Sequence, residues 1–360
     1  MAVGFPTKAN WAAGDILTAA QMDDLAGTLN TVQAPLGNAA GKNAIINGAF
    51  TVSQRGTTFS SPTSGTYNVD RVLCAWDGTG ATRTFSQQTQ TPGAISGVET
   101  PYFYRWNQSV AGSSGTFNLM TTLIEGVQTF AGQSVTFSFY AKAASNLSLV
   151  AADINQNFGS GGSTAVTNTM TLSTTSVTTA WTRITATVTL ASITGKTIGT
   201  GSSIQIRLWL PNNAAFTFDT VGWQLEAGSV ATNFQTATGT LQGELSACQR
   251  YWSQSYDPGV AAGTVTNANN EEYWYSVAYS TPGDGRRSVN YPVTMRTGPT
   301  TTIYSPNTGA SGKWYNEATA ADVTPAVQQG GTGRFIIYGN GGTINAKNNV
   351  LFHWTANAEL

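Results

Sequence analysis

In Glu272-Tyr273-Trp274-Tyr275-Ser276-Val277-Ala278-Tyr279, aromatic rings alternate along an extended chain. As a strand, this stretch puts Tyr273, Tyr275, Val277 and Tyr279 on one face and Trp274 on the other. Lys313-Trp314-Tyr315 sets two more rings in a glycine-rich run. Such rings join an apolar face to a polar edge, which suits them to stack on a sugar ring while neighbouring amides bind its hydroxyls. Tyr273, Trp274, Tyr275, Trp314 and Tyr315 are therefore candidate ligand-binding residues, although core or subunit-interface packing is the commoner use of buried aromatics.

Catalytic chemistry has less to work with. Eighteen acidic residues leave room for a glycosidase-like carboxylate pair, and Glu271, Glu272, Asp153 and Asp257 can be named. Adjacent Glu271 and Glu272 would point to opposite sheet faces, which spoils them as a pair. His353 is the only histidine, and its place between Phe352 and Trp354 in a terminal strand argues for packing. No Gly-x-Ser-x-Gly elbow accompanies it. Cys74 and Cys248 are too few for a disulfide framework or a zinc site, and read as small buried residues. No Asp-rich loop has calcium-ligand spacing, so neither a metal nor a cofactor is expected. Asp70 is placed to pair with Arg71 and Arg55 and lock the first strands, with Asp219 or Glu226 as further members.

Composition points the same way. Of 360 residues only 10% are charged, against about 25% in ordinary soluble domains. At 40% hydrophobic, with 10 Trp, 13 Tyr and 15 Phe, the chain can still bury sizeable cores. A formal net charge of −1 and no Lys/Arg-rich block leave no electrostatic footprint for nucleic acid or anionic membranes. No stretch approaches the roughly 20 apolar residues of a membrane span, and Met1 to Trp11 lacks the features of a secretory signal. The expectation is a chain folded in the cytoplasm without membrane insertion.

The elements that must position these residues are mostly strands. Residues 1–42 stand apart: Thr18-Ala-Ala-Gln21 fits a capping box, and a helix from about 19 to 32 carries Met22, Leu25, Leu29 and Val32 as an apolar seam. A helix this short needs a partner, which could be another subunit, another copy of itself or the body of the protein. From Asn43 onward, period-two runs rich in Thr, Val and aromatics alternate with Gly, Ser, Asn and Pro clusters. The clearest strands are 134–142, 181–190 and 204–210, the last with Ile204, Ile206, Leu208 and Leu210 alternating with Gln205, Arg207 and Trp209. The pattern predicts a mainly β protein: an N-terminal helical segment (1–42), a jelly-roll β-sandwich (43–240) and a smaller C-terminal β-sandwich (241–360). The last opens on a short helical hinge in which Leu241, Leu245 and Cys248 share a spacing, and continues with strands at 272–280, 288–295, 300–304, 333–338 and 350–356.

Several strings then resemble a known family. Asn43-Ala-Ile-Ile-Asn-Gly-Ala-Phe-Thr-Val-Ser-Gln-Arg-Gly56 and Tyr67-Asn-Val-Asp-Arg71 look like the opening of the carbohydrate-binding-module-like sandwich of bacteriophage tail-fibre proteins. Phe137-Ser-Phe-Tyr-Ala-Lys-Ala143, Leu208-Trp-Leu-Pro211 and Val221-Gly-Trp-Gln-Leu-Glu-Ala-Gly-Ser229 are similar to its later elements. Ala247-Cys-Gln-Arg-Tyr-Trp252 and Phe352-His-Trp-Thr-Ala-Asn-Ala-Glu-Leu360 resemble the C-terminal domain of such fibres, and Trp11-Ala-Ala-Gly-Asp-Ile-Leu-Thr18 their attachment segment.

The resemblance implies a virion fibre subunit. It would be a homotrimer, joined to other virion proteins through its N-terminus, with its C-terminal domain presented to a host cell-surface glycan. A length of 360 residues leaves no long shaft, which favours a short or capsid-mounted fibre. A baseplate or capsid decoration without a receptor role is the alternative. A glycan depolymerase is the weaker rival, because the repeats of a β-helix are absent.

Overall fold

A computed structural model of the chain describes residues 41–267, 271–275, 286–339 and 349–360. The helix expected over 19–32, with Met22, Leu25, Leu29 and Val32, lies outside the described residues, as do Val277 and Tyr279. What is described is mainly β.

The strands of the first part run, in chain order, β1 (Thr58–Ser60), β2 (Thr66–Tyr67), β3 (Leu73–Trp76), β4 (Thr82–Thr89), β5 (Tyr102–Val110), β6 (Asn118–Glu125) and β7 (Ser134–Ala143). They continue through β8 (Leu147–Ser148), β9 (Ala151–Asn157), β10 (Val166–Leu172), β11 (Ser176–Val177), β12 (Thr182–Thr189), β13 (Ser203–Leu210) and β14 (Phe216–Ala227). Hydrogen bonding orders them β1-β4-β5-β14-β7-β12-β10-β9-β13-β6-β3-β2, with β8 and β11 paired separately. All pairs are antiparallel. β10 is the fold line, because Thr171 and Leu172 pair with β12 while Val166 to Met170 pair with β9. The ribbon therefore forms two layers, a sandwich, with β14 and β7 central in one layer and β13 central in the other.

Alternation fills the space between them. Val135, Phe137 and Phe139 of β7 point inward, as do Ile204, Ile206, Leu208 and Leu210 of β13, all within one core cluster. Phe137 and Phe139 close on Trp223 at ring separations of 5.2 and 6.1 Å. The loop before β1 closes one end of this core. Asn43 Nδ2 donates to the carbonyls of Trp223 and Gln235, and its Oδ1 accepts from the amides of Ile45 and Leu225. Gly48 is required by close approach, because a Cβ there would lie 2.0 Å from the Trp223 carbonyl oxygen.

A helix, α1 (Leu241–Gln249), follows, capped by Thr240, whose hydroxyl accepts from the Gly243 amide. Its inner side is Glu244 and Cys248, not Leu241, which stays 66% exposed. Glu244 is buried because its carboxylate accepts from the Asn47 amide and from the amide and hydroxyl of Thr238. These bonds replace the water it gives up.

The last part contains β15 (Trp252–Gln254), β16 (Glu272–Tyr275), β17 (Arg286–Asn290), β18 (Thr300–Tyr304), β19 (Trp314–Asn316), β20 (Ala321–Val323), β21 (Pro325–Gln329), β22 (Arg334–Gly339) and β23 (Asn349–Asn357). The long β23 is the organiser, pairing with β15, β16, β18 and β19, while β17, β22 and β21 form a second small sheet. Trp314, Phe335, Phe352, Trp354 and Met295 share its core. The strand expected to reach Met295 ends at Asn290, because Pro292 has no amide hydrogen to continue a ladder.

Candidate functional site

The outward face of the β9–β13 layer gathers polar and aromatic groups around one tryptophan. Because Ile204, Ile206, Leu208 and Leu210 take the core, Gln205, Arg207 and Trp209 must face outward. Register brings Arg207 opposite Asp153 on β9 and Gln205 opposite Asn155, and on β10 Thr167 and Thr169 extend the two rows. Arg207 Nε donates to Asp153 Oδ1 at 2.5 Å, and the indole Nε1 of Trp209 donates to Asp153 Oδ2 at 2.7 Å. Arg207 also reaches Thr167 Oγ1 at 3.3 Å, which accepts as well from Asn155 Nδ2 at 3.1 Å. The guanidinium sits 5.4 Å from the Trp209 ring, and Phe117 meets that ring edge-on at 6.3 Å.

This arrangement holds a flat indole in fixed orientation outside the core cluster, beside hydroxyls, amides and a guanidinium. One carboxylate balances one guanidinium, so the face is electrically neutral. Both oxygens of Asp153 are engaged, which makes it a positioning group and not a free base. Its proposed hydrolytic partners stand in the other part of the chain, where Glu272 is bound to Arg287 at 2.6 Å. Among the described residues, no group of three or more His, Cys, Asp or Glu could hold a metal ion.

The five aromatics singled out from sequence divide by sheet face. Tyr273 and Tyr315 flank Leu351 on neighbouring strands, and Tyr275 lies opposite Asn349. Tyr273 and Tyr275 are about half exposed, at 49% and 51%. Trp274 and Trp314 turn the other way and meet edge-on at 5.9 Å, with Trp314 wholly buried. Trp314 therefore belongs to the core, and Trp274 is packed against it. Of the two uses open to these rings, Trp314 takes core packing, because its phase on β19 points it at Phe352 and its neighbours, while Trp274 stays half-buried.

The ion pair expected of Asp70 is rearranged as well. Asp70 accepts from the Gln54 backbone amide at 2.6 Å and lies 3.5 Å from Arg55, but Arg71 turns away to Glu359. Glu359 also binds Arg55 at 2.7 Å, so one carboxylate near the end of β23 ties two arginines of the first sandwich. Asp219 and Glu226 serve Arg105 and Lys42 instead. A cleft of about 490 Å³ opens here between Arg55, Tyr67, Leu73, Trp252, Asn357 and Glu359. Burial pushes the Tyr67 hydroxyl up to about 12, so it stays a protonated donor. The charged groups of this cleft are taken up by one another, and their role is to join the two parts of the chain.

His353 is fully buried. Its Nδ1 lies 3.0 Å from Ser255 Oγ, which accepts from the Trp354 amide, and Nε2 faces the Thr266 carbonyl at 3.3 Å. The Ser255 hydroxyl therefore donates to Nδ1 and Nε2–H to the carbonyl, a satisfied structural ring stacked on Tyr256. Cys74 and Cys248 are buried too, and burial raises the Cys74 thiol to about 12, which leaves it unreactive.

The sequence reading did not single out Trp209, although its alternation signal was present. A large aromatic falling in the polar phase of a clean Ile/Leu strand is the mark that identifies it.

No family model matches the chain, and no curated protein matches it. Among solved structures it is similar to the enzymatically active domain of bacteriophage CBA120 tailspike protein 4, at 12% identity and a TM-score of 0.33 over 52% of this chain. That match spans only 22% of the tailspike chain. It is also similar to a family 61 carbohydrate-binding module solved with β-1,4-galactotriose, at 12% identity and a TM-score of 0.30, covering 52% of this chain and 99% of that one. A xylan-binding domain from Paenibacillus barcinonensis matches at 11% identity and a TM-score of 0.30, covering 53% of this chain and 98% of that one. At such identities and scores, function has to be read from the side chains themselves.

Proposed function

We propose that this chain is a non-catalytic glycan-binding protein, that its first sandwich is a jelly roll whose outward Trp209 face receives a neutral saccharide, and that it serves as a homotrimeric fibre subunit of a phage virion. The observation that carries the binding role is the Trp209–Asp153–Arg207 cluster. Trp209 lies outside the core cluster and only part-buried, and an indole hydrogen bond fixes it there with some apolar area left to water. A sugar ring stacked on it would recover that area, while Arg207, Gln205, Asn155 and Thr167 bind hydroxyls. The neutral balance of Asp153 and Arg207 favours uncharged sugars, since covering an unpaired protein charge with a neutral ligand would cost that charge its hydration with nothing to repay it.

The virion role is supported by the ordered strings along the chain that resemble tail-fibre proteins, and by the attachment-like segment within residues 1–42. In that reading the N-terminal segment contacts other virion proteins and the trimer presents its sugar-binding faces to the host surface. Electron microscopy of particles carrying a tag on this chain tests it directly. The tag should decorate fibres, and purified protein should compete with particles for adsorption to host cells. A tag absent from the particle would overturn the virion assignment, and absence of competition would reduce the chain to a decoration.

A further inference from the structure

The opposite layer of the first sandwich carries a different kind of row. Register aligns Ser86 of β4, Arg105 of β5, Asp219 of β14 and Lys142 of β7 across the outward face, and Trp181, just before β12, flanks Lys142. Arg105 clasps Asp219 with both ends of its fork, Nε to Oδ1 at 2.7 Å and Nη2 to Oδ2 at 2.8 Å. That geometry consumes the carboxylate. The Lys142 ammonium is left 3.8 Å from Asp219 Oδ2, longer than a hydrogen bond.

Two rings hold that ammonium where it is. It lies 5.2 Å from the Phe103 centroid and 4.9 Å from that of Trp181, and the rings meet edge-on at 5.5 Å. Cation–π attraction fixes the position of a charge but does not neutralise it. Two cations face one carboxylate, so the row has one positive charge in excess. Lys142 and Arg105 remain about a third open to solvent, at 29% and 34% of their side chains.

We infer that this row is a second saccharide site, selective for an acidic sugar whose carboxylate binds Lys142 while its ring rests along Trp181. Lys142 is already ordered and supplies donors for charge-assisted hydrogen bonds. Arg105 and Asp219 form the rigid wall that keeps it in register. The site lies on the layer opposite Trp209, so the two faces recognise sugars of opposite character and can be occupied independently.

The test is calorimetric titration of the full chain carrying Trp209→Ala, so that the neutral site is silenced, with trigalacturonate, with its methyl ester and with acetate. The Lys142 substitutions are read in that background. The acid should bind at least about tenfold more tightly than the ester, the difference expected of one charged hydrogen bond, and should weaken with added salt. Lys142→Met, which keeps an apolar stem between the two rings, should abolish the preference for the acid, whereas Lys142→Arg should retain it. Equal binding of acid and ester, or acid binding that survives Lys142→Met, would overturn the proposal. Acetate binding as tightly as trigalacturonate would also overturn it, by reducing the site to one for simple anions.

Discussion

The indole Nε1 of Trp209 donates to Asp153 Oδ2 at 2.7 Å, across the pairing of β13 with β9. The same carboxylate accepts from Arg207, so one buried oxygen pair sets both the plane of the ring and the direction of the guanidinium. Replacing Asp153 by Ala removes both constraints. The fold should lose about 1–3 kcal/mol, the cost of leaving a partly buried donor without its acceptor, read by denaturant unfolding. Neutral-glycan affinity should fall further than this loss of stability explains, because the ring is then free to rotate.

The split of the C-terminal aromatics predicts opposite outcomes for neighbouring residues. Trp314→Ala empties a fully buried site against Trp274 and Phe352 and should cost about 3–5 kcal/mol. Tyr273→Ala and Tyr275→Ala remove half-exposed rings and should change stability by no more than about 0.5 kcal/mol each. Thermal melts of the three variants compare them directly.

Much of this was legible in the sequence, and the failures have a physical pattern. Strand phase within a run depends on neighbouring residues, so the inward set of β13 and the opposed faces of Tyr273 and Trp274 followed from alternation. Which face of a short strand meets the core does not, and for Trp314 both ligand contact and core packing stay open in the sequence because three residues carry too little pattern to decide. Pairings over long separations were also hidden. Arg71 reaches Glu359 across 288 positions, and Asp153 becomes a clamp only when β13 lies beside β9, 56 positions from Trp209. Arg71 and Asp70 are adjacent in sequence, and that proximity was mistaken for a contact.

Glu359 holds Arg55 and Arg71 together, and Arg71 is almost fully buried. Glu359→Ala leaves that guanidinium charged and without its partner, which should cost about 3–5 kcal/mol. The loss should appear as early unfolding of β23, followed by amide hydrogen exchange at residues 349–357. Uniform exchange throughout the chain would contradict a local joining role.

Burial holds the His353 ring below its usual value of 6.5, opposed by the Thr266 carbonyl and by Glu271 and Asp257. The folded state therefore keeps a neutral ring while the unfolded chain takes a proton near pH 6.5, so the unfolded state binds more protons below that point. Stability from this residue should be fully present above pH 6.5 and decline as pH falls from there toward the lowered folded value. Melting temperatures from pH 8 to 5 should drop more steeply for the native chain than for His353→Gln, and parallel curves would contradict the assignment.

Gly48 lies against the Trp223 carbonyl, and Gly48→Ala would drive a methyl group into backbone that cannot yield cheaply. Destabilisation of at least about 1–3 kcal/mol is expected, measured by urea unfolding of the first sandwich.

The central claim is that a saccharide stacks on Trp209. Titration of the full chain and of Trp209→Ala against a panel of neutral oligosaccharides measures it most directly. At least one sugar should bind the native chain and lose about tenfold or more in affinity to the variant, with both proteins melting alike. Sugar binding that is the same in both proteins, or no binding by the native chain to any member of the panel, would contradict it.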